Sequence, residues 1–209
     1  MFATVARSRK ERTERARPEL LDLLRTMSVR HGHFVLASGR TSDFFVDCKP
    51  AVLTAKGHHL VGELMLDALR HLPQCDLVAG VALGGCPLAS AVSLMSHIRG
   101  RPMSALYVRK AAKDHGTKRP VEGSLEPGAK VVMLEDVITS GGSTLKAIEV
   151  LRAAGAEVVG VVVLVDRLEG GVEAIRRSGY EVVAIYTKND FLEGDHLLAA
   201  TMADSTIAD

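Results

Sequence analysis

Val131-Val132-Met133-Leu134-Glu135-Asp136-Val137-Ile138-Thr139-Ser140-Gly141-Gly142-Ser143-Thr144 decides how the rest of the chain is read. Its apolar start has the pattern of a strand buried on both faces. Two carboxylates follow, and a loop of glycine and hydroxylated residues then opens a helix near Ser143 to Ala154. Ligands of open α/β sheets bind just outside the carboxyl ends of the strands. Two glycines let successive backbone N–H groups turn toward one anion, and the helix adds its positive end. Hydroxyls of Thr139, Ser140, Ser143 and Thr144 add donors, while Glu135 and Asp136 can accept hydrogen bonds from a sugar. The segment can therefore cradle a phosphate beside a polyol. It is neither GxxxxGK[ST] nor GxGxxG. The plainer reading of the same residues is a strand–turn–helix with an N-capping serine and exposed acids.

Working outward, the same alternation recurs. Leu77 to Val81, Ser104 to Val108, Val158 to Val165 and Glu181 to Tyr186 read as further strands, with helical stretches over Thr54 to Leu72 and Pro87 to Ile98. Continuous apolar strands alternating with helices predict an α/β fold, a parallel sheet flanked by helices. Before it, Pro18 to Val29 reads as an amphipathic helix with Leu20, Leu23, Leu24 and Met27 on one stripe and Pro18 in its first turn. His31-Gly32-His33 breaks that helix, and Phe34–Leu36 and Phe44–Val46 read as two short strands around a polar turn. Residues 18–209 are expected to form one domain, with a small N-terminal subdomain built mainly from about 18–50. Residues 1–17 read as a solvated basic extension, with Arg7, Arg9, Lys10, Arg12, Arg15 and Arg17 against Glu11 and Glu14.

The composition fits an ordinary globular protein of 209 residues, with 47% hydrophobic and 24% charged residues. A formal net charge of +1 gives no overall electrostatic case for nucleic acid or an anionic membrane as partner. No apolar run approaches the roughly 18 residues a spanning helix needs. Cys48, Cys75 and Cys86 are odd in number and widely spaced, which argues against a disulfide framework or a structural zinc site and fits a reducing cytoplasm.

The segment 131–144 resembles the PRPP-binding signature of type I phosphoribosyltransferases: four apolar residues, two acidic, two apolar, then Thr-x-Gly-Gly-x-Thr. The resemblance implies that Glu135 and Asp136 bind the ribose hydroxyls and that Asp136 sits close to the chemistry. It also implies that the run Val137, Ile138, Thr139, Ser140, Gly141, Gly142, Ser143 and Thr144 holds the rest of PRPP, chiefly its 5′-phosphate.

A second segment narrows the substrate. Arg109, Lys110, Lys113, His115, Lys118 and Arg119 crowd cationic or titratable groups into eleven residues. Alone this is a solvated basic loop, but Arg-Lys-x-x-Lys-x-His-Gly resembles the catalytic loop of orotate phosphoribosyltransferases. That likeness implies Lys113 as the main catalytic residue, with Arg109, Lys110 and His115 on the pyrophosphate that leaves, where negative charge accumulates. It also implies a homodimer in which the loop reaches the partner subunit's site. Phe34 to Asp47 looks like the family's orotate-covering hood, with Phe45 against the flat pyrimidine. Arg167, at the end of a strand, has the fork geometry to hold orotate's carboxylate, and the resemblance also puts Thr139 on orotate; on its own such an arginine is more often an ion-pair partner, here of Asp166. The chain departs from the pattern at Ala37 and Gly84, where many family members carry lysine.

The resemblance implies transfer of the 5-phosphoribosyl group of PRPP to orotate, giving orotidine 5′-monophosphate and pyrophosphate in pyrimidine biosynthesis. Mg²⁺ is the expected cofactor, bridged by PRPP with no metal ligands from protein side chains. No nucleic acid or membrane partner is expected. Two other readings stay open: a phosphoribosyltransferase for another base, tested by a base panel, and a regulator that binds PRPP without turnover, tested by assay for transfer.

Overall fold

Ser8-Arg9-Lys10-Glu11 is a capping box. The Ser8 side chain accepts from the Glu11 backbone N–H at 3.3 Å, and the Glu11 carboxylate accepts from the Ser8 N–H at 2.7 Å. In the computed structural model, which describes residues 8–35, 41–109 and 120–192, the helix started by this cap is α1, Arg9–Ser28. It begins well before the expected Pro18, and Pro18 lies inside it. The buried row is Ala16, Leu20, Leu24 and Ser28, a strict i, i+4 stripe, so the expected stripe is rotated and Met27 is exposed.

Next come strands β1 (Val29–Val35) and β2 (Thr41–Val46), an antiparallel pair forming its own small sheet. His31-Gly32-His33 lies within β1; the helix has already ended at Ser28. Helix α2 (Lys49–Val52) follows, and α3 (Ala55–Ala68) opens on Thr54, whose hydroxyl accepts from the Gly57 N–H at 2.9 Å. The remaining elements are β3 (Leu77–Val81), α4 (Gly85–Ile98), β4 (Ser104–Val108), β5 (Val121–Glu122), β6 (Lys130–Ile138), α5 (Gly142–Ala153), β7 (Glu157–Asp166), α6 (Gly171–Arg177) and β8 (Val182–Thr187).

The main sheet has the order β5-β4-β3-β6-β7-β8, parallel throughout except for the antiparallel edge strand β5. Period-2 alternation splits β6 between two cores. Val132 and Leu134 face α1, α3 and α4, while Val131 and Met133 face α5 and α6. The expected sheet covered on both faces is therefore present. The β3–β6 pairing stops with Gly80 opposite Leu134, β6 runs on to Ile138, and the carboxyl end of these two central strands carries the site.

Candidate active site

The last residues of β6 continue the alternation, so Glu135 and Asp136 leave the strand on opposite faces. Glu135 turns to the α5 side, is 6% exposed, and accepts a hydrogen bond from Thr144 Oγ1 at 2.9 Å. Asp136 turns the other way, toward the loop that follows β3. A Cβ built on Gly84 would lie 2.1 Å from Asp136 Oδ2. Glycine at 84 is therefore what lets this carboxylate stand where it does, and a lysine there would have to displace it. Between the two carboxylates and the 82–84 loop lies a cavity of about 280 Å³, also lined by Ser143 and Lys49. The Lys49 ammonium is held by Asp47 Oδ1 at 2.6 Å. That bond raises the Lys49 pKa, and it keeps Asp47 low even though burial alone would push it up.

The loop 139–141 turns from β6 into α5. Gly141 is the N-cap residue, left-handed at φ 78°, with no side-chain cap, so the first amides of the twelve-residue α5 are left to another acceptor. A Cβ at Gly141 would also meet the Gly171 carbonyl oxygen at 2.8 Å. Ser140 and Ser143 are exposed, whereas Thr144 is 1% exposed and Ile138 is packed in the core. Of the run 137–144, then, Ile138 has only its backbone to offer a ligand, and the Thr144 hydroxyl is committed to Glu135.

Arg167 directly follows β7. Its backbone N–H donates to the Ile138 carbonyl at 3.1 Å, tying it to the end of β6. Its buried guanidinium donates from Nη2 to the Phe44 carbonyl at 3.1 Å and pairs with Glu169 at 2.8 Å. The ion pair expected with Asp166 is made with Glu169 instead. Asp166 accepts from the Leu168 N–H at 2.9 Å, and burial pushes its pKa up in spite of that bond. The bond to Phe44 links the small β1–β2 sheet to the strand-end cavity. Phe44 is buried in the core and Phe45, next along β2, is half-buried.

Arg109 sits at the foot of the 110–119 segment, where its guanidinium pairs with Glu122 at 3.0 Å. Lys110, Lys113, His115 and Ala37 lie outside the described residues. Among the described residues no group of three or more His, Cys, Asp or Glu side chains could hold a metal ion; the oxygen donors the cavity offers are Glu135 and Asp136. Sequence reasoning singled out Glu135, Asp136 and Gly141 from one segment. It had no signal for Glu169, which no local pattern ties to Arg167.

Such a cavity, at the carboxyl end of a parallel sheet beside an uncapped helix start, is the working end of an enzyme that handles a phosphorylated sugar. A family model for the phosphoribosyl transferase domain matches residues 55–188. The orotate phosphoribosyltransferase of Sorangium cellulosum (strain So ce56) is 67% identical over 157 residues, covering 74% of this chain and 82% of that protein. A crystal structure of Mycobacterium tuberculosis H37Rv orotate phosphoribosyltransferase in complex with Fe(III) dicitrate superposes with a TM-score of 0.74 at 39% identity, over 84% of this chain and 98% of that one. The same enzyme in complex with PRPP matches with a TM-score of 0.69 at 33% identity, over 85% and 92%. The chain belongs to the phosphoribosyltransferase family, among the orotate phosphoribosyltransferases.

Proposed function

We propose that the chain transfers the 5-phosphoribosyl group of PRPP to the ring nitrogen of orotate, releasing pyrophosphate and forming orotidine 5′-monophosphate, the step that builds the pyrimidine nucleotide. The observation that carries this reading is the 135–144 segment: two carboxylates on opposite faces of one strand end, above a helix start that no side chain caps. The amides of Gly142, Ser143 and Thr144, with the Ser140 and Ser143 hydroxyls, bind the 5′-phosphate. Asp136 and Glu135 accept from the ribose hydroxyls, and their charge stabilises the positive character that carbon 1 acquires as its bond to pyrophosphate breaks. Orotate lies under the β1–β2 sheet against Phe45, near Thr139. Its carboxylate is held by Arg167, which shares its fork between Glu169 and the substrate. Lys113 with Arg109, Lys110 and His115 meets the departing pyrophosphate, and closure of their segment excludes water.

Mg²⁺ fits this cavity as a hard cation, since Glu135 and Asp136 offer oxygen donors without making a cage, and it would be held mainly by PRPP oxygens while neutralising pyrophosphate charge. The catalytic unit takes in α1 from Arg9, whose Ala16 lies in the core with Leu20 and Leu24, and the hood is built mainly from about 18–50. A homodimer that exchanges the 110–119 segment is supported by Leu94 and Ile98, one helical turn apart on α4 and each 56% exposed. Three free thiols favour a reducing cytoplasm, and no helix among the described residues is long and apolar enough to cross a membrane.

Orotate absorbance followed after mixing the protein with PRPP and Mg²⁺, beside Lys113→Ala, tests the proposal. Loss by the wild type and a fall of orders of magnitude in the variant support it. Equal rates remove Lys113 from the site, and no loss with PRPP still bound turns the reading toward another base or a regulator.

A further inference from the structure

The basic N-terminal stretch has no task in the reaction above, yet part of it is built into a second cavity. The first turns of α1 lie over the C-terminal ends of α3 and α4 and enclose about 290 Å³, walled by Arg9, Arg12, Arg70, Arg99 and Arg101 beside Leu66. Among the described residues, two carboxylates share this space. Glu63 pairs with Arg12 at 3.5 Å and with Arg99, and Asp67 pairs with Arg9 at 2.5 Å. Arg70 and Arg101, both exposed, have no carboxylate partner among the described residues. Burial and the neighbouring Arg12 guanidinium press the Arg99 pKa down.

Favourable charge–dipole contact accounts for arginines at the C-terminal ends of α3 and α4. It does not account for Arg9 and Arg12, which stand in the first turns of α1, where a cation opposes the helix dipole. Five guanidiniums converging on one concave space match the fork geometry that reads phosphate oxygens. The volume is near the lower limit of small-molecule pockets, the size of a phosphate or diphosphate group with the remainder of its ligand outside.

We propose that this pocket is an anion site that takes the phosphate or diphosphate group of a small phosphorylated ligand. It is separate from the reaction cavity. Helix α4 starts at Gly85 beside the 82–84 loop and ends at Ile98 beside Arg99; its 14 residues, at about 1.5 Å each, put the two sites about 20 Å apart.

Calorimetric titration of the full chain with inorganic pyrophosphate, without Mg²⁺ and at physiological salt, tests this against Arg70→Ser/Arg101→Ser. The wild-type isotherm is expected to contain one more binding event per chain than the variant's, while orotate transfer is equal in the two. Arg70→Lys/Arg101→Lys keeps the charge but not the fork, and binds at that site about tenfold more weakly. Superimposable wild-type and serine isotherms overturn the proposal. If the double variant does not fold, the single variants Arg70→Ser and Arg101→Ser are each expected to weaken the extra event about tenfold, and unchanged affinity in both overturns it.

Discussion

Replacing Thr144 with valine removes one hydroxyl and almost no volume, so it isolates the bond between Thr144 and Glu135. The side chain is 1% exposed, its partner 6%, and the bond is 2.9 Å long. A hydrogen bond to a charged group contributes about 1.5–3 kcal/mol net. Glu135 keeps other interactions, which sets the expectation at the lower end, about 1.5 kcal/mol. For a domain of this size that is a fall in Tm of about 3–6 °C. The α5 amides are untouched, so their proposed hold on phosphate is expected to survive. What is lost is the aim of Glu135, and on its proposed role at the ribose kcat/KM for PRPP is expected to fall about tenfold. Thermal unfolding and the orotate absorbance assay read the two effects. Thr144→Ser, which keeps the hydroxyl, should restore kcat/KM. Two results would refute the reasoning: wild-type Tm and kcat/KM in the valine variant, or equal catalytic damage in both variants.

Gly141→Ala puts a Cβ on a left-handed residue and against the Gly171 carbonyl; it should cost about 1–3 kcal/mol in urea unfolding and raise KM for PRPP. Arg167→Lys keeps charge but loses the fork spanning Phe44 and Glu169, so KM for orotate should rise at least about tenfold while PRPP affinity measured by calorimetry stays level. Asp166 has a folded-state pKa above its ordinary value, so it favours the fold below about pH 3.8 and loses that contribution as pH rises through the folded value. Asp166→Asn, which can still accept from Leu168, should therefore melt a few degrees higher at pH 7, with the gain vanishing near pH 3. Gly84→Lys must move Asp136 and should lower PRPP affinity in the same calorimetric assay.

The main sheet was legible because its strands are long apolar runs: Leu77 to Val81 and Val158 to Val165 needed no tertiary information. The elements that escaped are the four-residue α2, the two-residue β5 and the seven-residue α6, too short for a period to declare itself. The start of α1 was legible in principle, since Ser8 and Glu11 are the two ends of a capping box, but the density of charge suggested a solvated tail and Pro18 an N-terminus. In the site, Glu135, Asp136 and Gly141 declare themselves locally, because strand, turn and helix start are contiguous in sequence. The Arg167–Phe44 bond joins residues 123 apart, and Gly84 meets Asp136 across two strands; such pairs exist only once the sheet has assembled.

The feet of the 110–119 segment have a consequence for how this enzyme can change. Tyr107 and Val108 pair with Glu122 and Val121, the Arg109 N–H donates to the Pro120 carbonyl at 2.9 Å, and the Arg109–Glu122 ion pair closes the junction. Chain entry and exit are thus clamped side by side at the sheet edge, whatever lies between. Lengthening a loop whose ends are already joined adds only about 0.6 kcal/mol per doubling. The segment is therefore an exchangeable cassette: a longer, shorter or differently charged version can be grafted between Arg109 and Pro120 while the sheet register stays as it is. Sequence between these feet can vary without renegotiating the fold.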